Sequence, residues 1–209
     1  MDFNEWEPIY ESILNDMGFS REGDEQAAHI LSDMLNSSNS ADLSELKILI
    51  EGKDILVCGN APVLAQDLEL VNPKDFVIIA ADGATAVLVD REIIPDIIVT
   101  DLDGDVEKEI IANKAGSIIV VHGHGDNIDK LNNFVPQLNR IIGSTQASPL
   151  DNVFNFGGFS DGDRCAYLAK ELGAASITLV GFDFDDENVD PIKKKKLKWA
   201  RLLIEKLNK

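Results

Sequence analysis

The chain has 209 residues, 44% of them hydrophobic, enough for one full α/β domain and a small appendage. Its formal charge is −18, with 37 acidic against 19 basic residues, which argues against nucleic acid as a partner because backbone phosphates need a basic surface. The same charge leaves room for a nucleotide substrate, since a metal-bridged phosphate site is acidic before its metal binds.

The acidic start, Met1-Asp-Phe-Asn-Glu, lacks the basic lead of a signal peptide. No apolar stretch nears the roughly 20 residues that span a bilayer. A cytoplasmic protein without membrane contact is therefore expected. Helical spacing of Phe3, Trp6, Tyr10, Ile13, Leu14 and Met17 predicts a first helix, closed by Gly18. Ala27, Ile30, Leu31, Met34 and Leu35 predict a second, stopped by the polar run 36–40. This segment, residues 1–50, is read as a helical cap on the unit 51–209 or as a homodimer element, and it carries no recognisable chemistry.

From residue 54 short apolar runs alternate with helical segments. Strands are predicted at 55–58, 76–80, 97–100, 118–121, 141–142, 153–156 and 177–180. Helices are expected near 62–70, 84–91, 106–115, 127–139 and 163–172. Such alternation implies a parallel sheet with helices on both faces, a Rossmann-like three-layer α/β sandwich with an N-terminal helical segment. The tail from Lys193 to Asn208 reads as a basic amphipathic helix, with the lysines 193–196 forming a solvated face. Cys58 and Cys165 lie far apart in apolar surroundings and read as small core residues, not as a disulfide or zinc pair.

In such a sheet ligands bind beyond the carboxyl ends of the strands, and the informative residues fall there repeatedly. After the first strand, Gly59-Asn60-Ala61-Pro62 makes a tight turn into a helix, with Pro62 suited to the first helical position. Its exposed N–H groups could hold a phosphate, although a purely structural turn is the better explanation of this motif taken alone. After the second, Asp82 precedes Gly83, which permits close approach of a backbone or ligand. Asp82 can be a helix N-cap or a metal ligand, and both only if different oxygens serve each role. After the third, Asp101, Asp103 and Asp105 stand on alternate residues. In extended geometry they point the same way and repel unless a cation neutralises them, which suits Mg²⁺.

The fourth strand ends in His122-Gly-His124-Gly-Asp126-Asn127. Alternate histidines can bind a transition metal, but contact with phosphate or substrate fits better without a third ligand. Further on, Gly157-Gly158-Phe-Ser-Asp161-Gly-Asp163-Arg164 opens a helix, with Asp163 a candidate N-cap. Arg164 there suits a bidentate phosphate contact, or a local pair with Asp161 or Asp163.

Ala81-Asp-Gly-Ala84 and Asp101-Leu-Asp103 resemble the Mg²⁺–ATP signature of thiamin diphosphokinase catalytic domains, with Thr100 in place of a glycine, Gly104 in place of a serine, and no thiamin-binding domain downstream. The blocks 99–105, 122–127, Ser144-Thr-Gln146, 157–164 and 179–184 are more similar, in order, to the archaeal 6-hydroxymethyl-7,8-dihydropterin diphosphokinase family. Ser144 and Ser160 stand where threonine is expected. The resemblance covers about residues 50–190. It implies transfer of diphosphate from ATP to a reduced pterin, with Mg²⁺, in folate-type or tetrahydromethanopterin cofactor synthesis. It also implies a catalytic set of Asp101, Asp103, His124 and Arg164, and a metal set of Asp82, Asp101, Asp103 and Asp105. Nucleotide and substrate contacts are then expected from Gly59, Asn60, Asp82, Gly83, Asp126, Asn127, Gln146, Asn155, Gly158 and Asp161, with Phe159 beside the pterin ring. Thiamin as acceptor, or a nucleotide-sugar-binding accessory module, are the alternatives.

Overall fold

Isoleucine and valine dominate the short strands of this sheet because they pack well on a pleated surface buried on both faces. In the computed structural model, which describes residues 1–36 and 40–207, the strands are β1 (Asp54–Cys58), β2 (Val77–Ala81), β3 (Ile97–Thr100), β4 (Ile118–Gly123), β5 (Ile141–Thr145), β6 (Val153–Phe154) and β7 (Ser176–Val180). They form one sheet in the order β6-β5-β4-β3-β2-β1-β7, and every pairing is parallel. The Rossmann-like three-layer sandwich is thus observed.

Two layers of helix cover the sheet. The successive crossovers α4 (Leu64–Asp67), α5 (Asp82–Val89), α6 (Val106–Ala115) and α7 (Ile128–Phe134) all step the same way along the sheet. Right-handed crossovers therefore put them on one face, where α2 (Arg21–Leu35) joins them. α8 (Asp161–Glu171) carries the chain back from β6 to β7 and packs on the other face with α3 (Leu43–Ile50). The strand order reverses at β1 and β7, the crevice where such sheets take ligands.

α1 (Phe3–Met17) and α9 (Pro191–Leu207) meet at a separate apolar cluster of Trp6, Tyr10, Ile13, Phe159, Tyr167 and Leu203. The first two helices thus pack on their own chain, beside the strand ends.

The element boundaries differ from expectation where local chemistry intervenes. Pro136 cannot donate a backbone hydrogen bond, and the predicted helix 127–139 is split into a 3₁₀ turn at Gly125–Asn127, α7, and a second at Val135–Gln137. Pro62 precedes α4 instead of opening it, since Leu64 is the first helical residue. α8 starts at Asp161 with a capping box in which Ser160 is the N-cap and Asp163 its third-position partner, so Asp163 is not itself the cap. Of the polar run expected to stop the second helix, residues 37–39 lie outside the described residues, as does Asn208 at the expected end of the tail helix. Cys58 and Cys165 are free and buried, as their apolar neighbours imply.

Candidate functional site

A cleft of about 850 Å³ opens beyond the carboxyl ends of the strands. Asp82, at the junction of β2 and α5, is 6% exposed. Its Oδ2 accepts three hydrogen bonds, from Thr100 Oγ1 at 3.1 Å and from the backbone N–H groups of Asp103 and Gly104 at 3.0 Å. Its Oδ1 has no partner. One oxygen thus holds the β3–α6 loop in place while the other is left for a ligand. A side chain at position 104 would overlap that free Oδ1, so glycine is required there for the carboxylate to stand as it does. Gly83 has the same role toward Asn60, whose amide lies where a Cβ would be.

Asp101 follows β3. His124 Nδ1 accepts from the Asp126 N–H at 3.3 Å, so the ring proton sits on Nε2 and is donated to Asp101 Oδ2 at 3.2 Å. Asp101 Oδ1 is buried without a partner. The third carboxylate is Asp161, from the first turn of α8. Oxygens of Asp82, Asp101 and Asp161 lie within 4.8 Å of one another. Burial pushes the Asp161 and Asp82 carboxyls up, and the charge of Asp101 adds to both. Burial acts on Asp101 too, but the His124 hydrogen bond and the Arg164 charge outweigh it and hold that carboxyl below its usual range. Three such groups cannot all be ionised without a cation. Two orphaned oxygens and an all-oxygen donor set suit a hard divalent ion such as Mg²⁺.

Asp103 and Asp105 do not join this cluster. The chain beyond β3 is not extended, because Leu102 takes a positive φ of 63° and buries its side chain among α2 and α6. Asp103 lies at the cleft but is largely exposed, paired with Lys130 at 3.2 Å. Asp105 caps α6 by accepting from the Lys108 N–H.

Arg164 is 7% exposed and reaches the cleft with a fork already engaged: Nη1 bonds Asp161 at 3.1 Å and Nη2 bonds Gln146 Oε1 at 3.1 Å. Of the two readings of this arginine, the local pair with Asp161 is observed, and the side chain also lines the cleft. Gln146 continues the chain of bonds, donating to Asp24 Oδ2 at 2.7 Å.

Gly59, Asn60, Gly83, Asp126, Gln146 and Phe159 line the cleft as expected, while Asn127, Asn155 and Gly158 do not. The Asn127 amide clamps the carbonyls of Asp101 and His122. The Asn155 amide bonds the carbonyls of Gln146 and Ala147. Gly158 lies where a Cβ would press on the Arg164 backbone. These three shape the site from behind it. His122 is buried, its Nδ1 on Ser144 Oγ at 3.1 Å, and burial keeps it neutral.

Asp24 is a site residue that pattern reading missed. It is 4% exposed, lines the cleft, and accepts from Tyr10 Oη, Gln146 Nε2 and the Gly125 N–H. A signal was present: Asp24 falls on the stripe it shares with Ala27, Ala28, Leu31 and Leu35, where a carboxylate needs partners.

Fold and site together define a Rossmann-like α/β protein with a cluster of three carboxylates in a cleft at the strand ends. The chain belongs to the family described as 6-hydroxymethylpterin diphosphokinase MptE-like, whose model matches residues 25–189. It is similar to proteins named 6-hydroxymethyl-7,8-dihydropterin pyrophosphokinase. The one from Methanocaldococcus jannaschii is 41% identical, covering 98% of this chain and 95% of the relative. The one from Pyrococcus furiosus is 42% identical, covering 98% and 94%. The one from Methanothermobacter thermautotrophicus is 39% identical, covering 100% and 96%.

Proposed function

We propose that the protein transfers the terminal diphosphate of ATP to the hydroxymethyl group of 6-hydroxymethyl-7,8-dihydropterin, releasing AMP, as a step toward a folate-type cofactor. The observation that carries this reading is the cluster of Asp82, Asp101 and Asp161, two of them with an orphaned buried oxygen, inside the cleft of a chain from this family. In the reaction the alcohol oxygen bonds to the β-phosphorus and the bond from that phosphorus to the α–β bridging oxygen breaks. The alcohol proton passes to solvent or to a cleft carboxylate such as Asp103.

Asp82, Asp101 and Asp161 would hold Mg²⁺, which when bound supplies positive charge for the phosphate oxygens. The chain's own residues position the rest. His124 has both ring nitrogens engaged in this geometry, so it orients Asp101 and keeps it ionised; it is not left free to act as a base. Arg164 ties Asp161 to Gln146 and presents its charge to the cleft. In the Gly59-Asn60-Ala61 turn, beside the β1–β7 crevice, the Gly59 and Ala61 N–H groups are bonded to the Val180 and Gly181 carbonyls, which leaves the Asn60 N–H to face the nucleotide.

The test is to incubate the purified protein with ATP, Mg²⁺ and either the dihydropterin or thiamin, and to identify the nucleotide product. AMP formed only with the pterin, and lost in chelator, is the expected result. ADP as product, or turnover unchanged after verified metal removal, rules the reading out.

A further inference from the structure

From sequence alone the lysines 193–196 read as a solvated helix face, but the structure divides them. Lys195 Nζ bonds the Asp16 carbonyl at 2.7 Å and its carboxylate at 3.0 Å, and Trp199 Nε1 bonds the other carboxylate oxygen at 3.0 Å. These bonds fasten α9 to the last turn of α1. Held there, α9 turns Lys193 and Lys196, three residues apart on one face, to the cleft together with Leu197 and Ala200.

The charge balance of the cleft makes these two side chains notable. Arg164 is committed to Asp161 and Gln146. The Lys193 backbone N–H bonds Asp190 Oδ1 at 2.9 Å and is the main cause holding that carboxyl low, with the Lys193 charge adding a little. Lys196 is half-buried and makes no ion pair among the described residues. In a chain of charge −18, such a lysine has carboxylates in plenty to pair with, and Asp183 and Asp186 line the same cleft without reaching it. A cation half-withdrawn from water without a partner is costly unless the cleft's occupant provides one. The occupant must then be anionic at this end. α9 follows β7, and β7 ends beside β1 at the crevice where Gly59, Asn60, Gly181 and Phe182 also face the cleft. A neutral pterin ring brings no anion, whereas a nucleotide brings phosphates.

We propose that Lys196, with Lys193 one turn away, binds the phosphates of the nucleotide substrate at the β1–β7 end of the cleft, so that the C-terminal helix is a wall of the nucleotide site. The inference rests on the functional reading above. It adds an uncommitted cation to a site whose other nucleotide contacts, on that reading, are the Asn60 N–H, the already paired Arg164 and carboxylate-held metal.

Calorimetric titration with MgATP, without pterin, tests it on the full chain. Lys196→Met should weaken ATP binding roughly tenfold or more, the scale of one charge-assisted contact. Lys196→Arg should recover most of the loss, and Lys193→Met should cost less. Affinity for adenosine, which lacks phosphates, should not change, nor should the KM for pterin, and the melting temperature should stay within a few degrees. Unchanged ATP affinity in Lys196→Met overturns the assignment while leaving the functional reading intact. Equal losses for ATP and adenosine also overturn it, since they mark a packing role. Wild-type protein that binds no MgATP overturns both the assignment and the reading beneath it.

Discussion

Asp82 divides its work between its two oxygens, and the division depends on glycine at position 104. Oδ2 gathers Thr100 and two backbone N–H groups, which fixes the loop that carries Asp101. Oδ1 is left bare beside Asp101 and Asp161. The geometry ranks the carboxylates by what each would lose. Asp101→Asn and Asp161→Asn should each lower turnover by about 10²-fold or more, the scale of one lost electrostatic contact at a reacting phosphate. Asp105→Asn, changing a helix cap, should stay within a few-fold. Asp103→Asn should fall between, since its carboxylate is exposed and paired with Lys130. Steady-state assays of the four variants decide the order; a collapse in Asp105→Asn with near-normal Asp161→Asn would move the site. The alternation of Asp101, Asp103 and Asp105 was legible in the sequence, but its meaning was not. An extended run would aim all three one way. The buried Leu102 at φ 63° turns the chain instead, and nothing in a period-two pattern marks a leucine for a left-handed conformation. Asp161 was legible as a substrate contact and as a neighbour of Arg164 but not as a member of the carboxylate cluster, because the contact that brings it to Asp101 spans sixty positions of chain.

At the scale of elements, the strands were the most legible part. Each is a short β-branched run, and parallel strands buried on both faces have little freedom to read otherwise. Ligand-bearing turns at their carboxyl ends followed from the same pattern. The helices outside the alternation were harder to place, because amphipathic spacing says which face is buried and not against what. α2 shows the gap. Its stripe covers the sheet, and the same stripe delivers Asp24 to the site, where it joins α1 through Tyr10, β5 through Gln146 and the β4–α7 turn through Gly125. Asp24→Asn keeps the size but turns an amide donor against donors. It should cost about 1–3 kcal/mol, as for a buried group losing its partners, and lower the melting temperature by roughly 2–4 °C per kcal/mol for a chain of this size. Tyr10→Phe should cost less, since Gln146 still serves the same oxygen. Calorimetric scans of both variants check this, and an Asp24→Asn melting curve that overlays the wild type would show that α2 is not coupled to the site through this carboxylate.

Across the whole molecule the excess of acid is not only a solvated surface. Some of it is buried at the site, and this ties stability to pH in a defined direction. Glu109 on α6 is fully buried, and neither oxygen has a hydrogen-bond partner, the Thr100 hydroxyl being committed to Asp82. Burial, with the charge of Asp82 added, pushes its pKa to about 9 from an ordinary 4.5. Between those two values the unfolded chain has released the proton and the folded chain has kept it. The stabilisation from holding the proton is complete below 4.5, falls as pH rises, and is gone above 9. Asp82 and Asp161 are raised as well and act with the same sign, whereas Asp101, held low, acts oppositely and only at strongly acid pH. Without metal, the melting temperature should therefore fall from pH 5 to pH 8. Glu109→Gln, which is neutral throughout, should show a shallower fall, by up to about 1.4 kcal/mol per pH unit as the limit for one group. Mg²⁺ needs the ionised forms of Asp82 and Asp161, so its stabilising shift should be larger at pH 8 than at pH 6 when ionic strength is matched with NaCl. Melting curves of the wild type and Glu109→Gln at pH 5, 6, 7 and 8, with and without Mg²⁺, read both effects at once. Parallel curves for the two proteins would mean that Glu109 ionises like an exposed glutamate. A Mg²⁺ shift independent of pH would mean that the cluster binds the ion without giving up a proton.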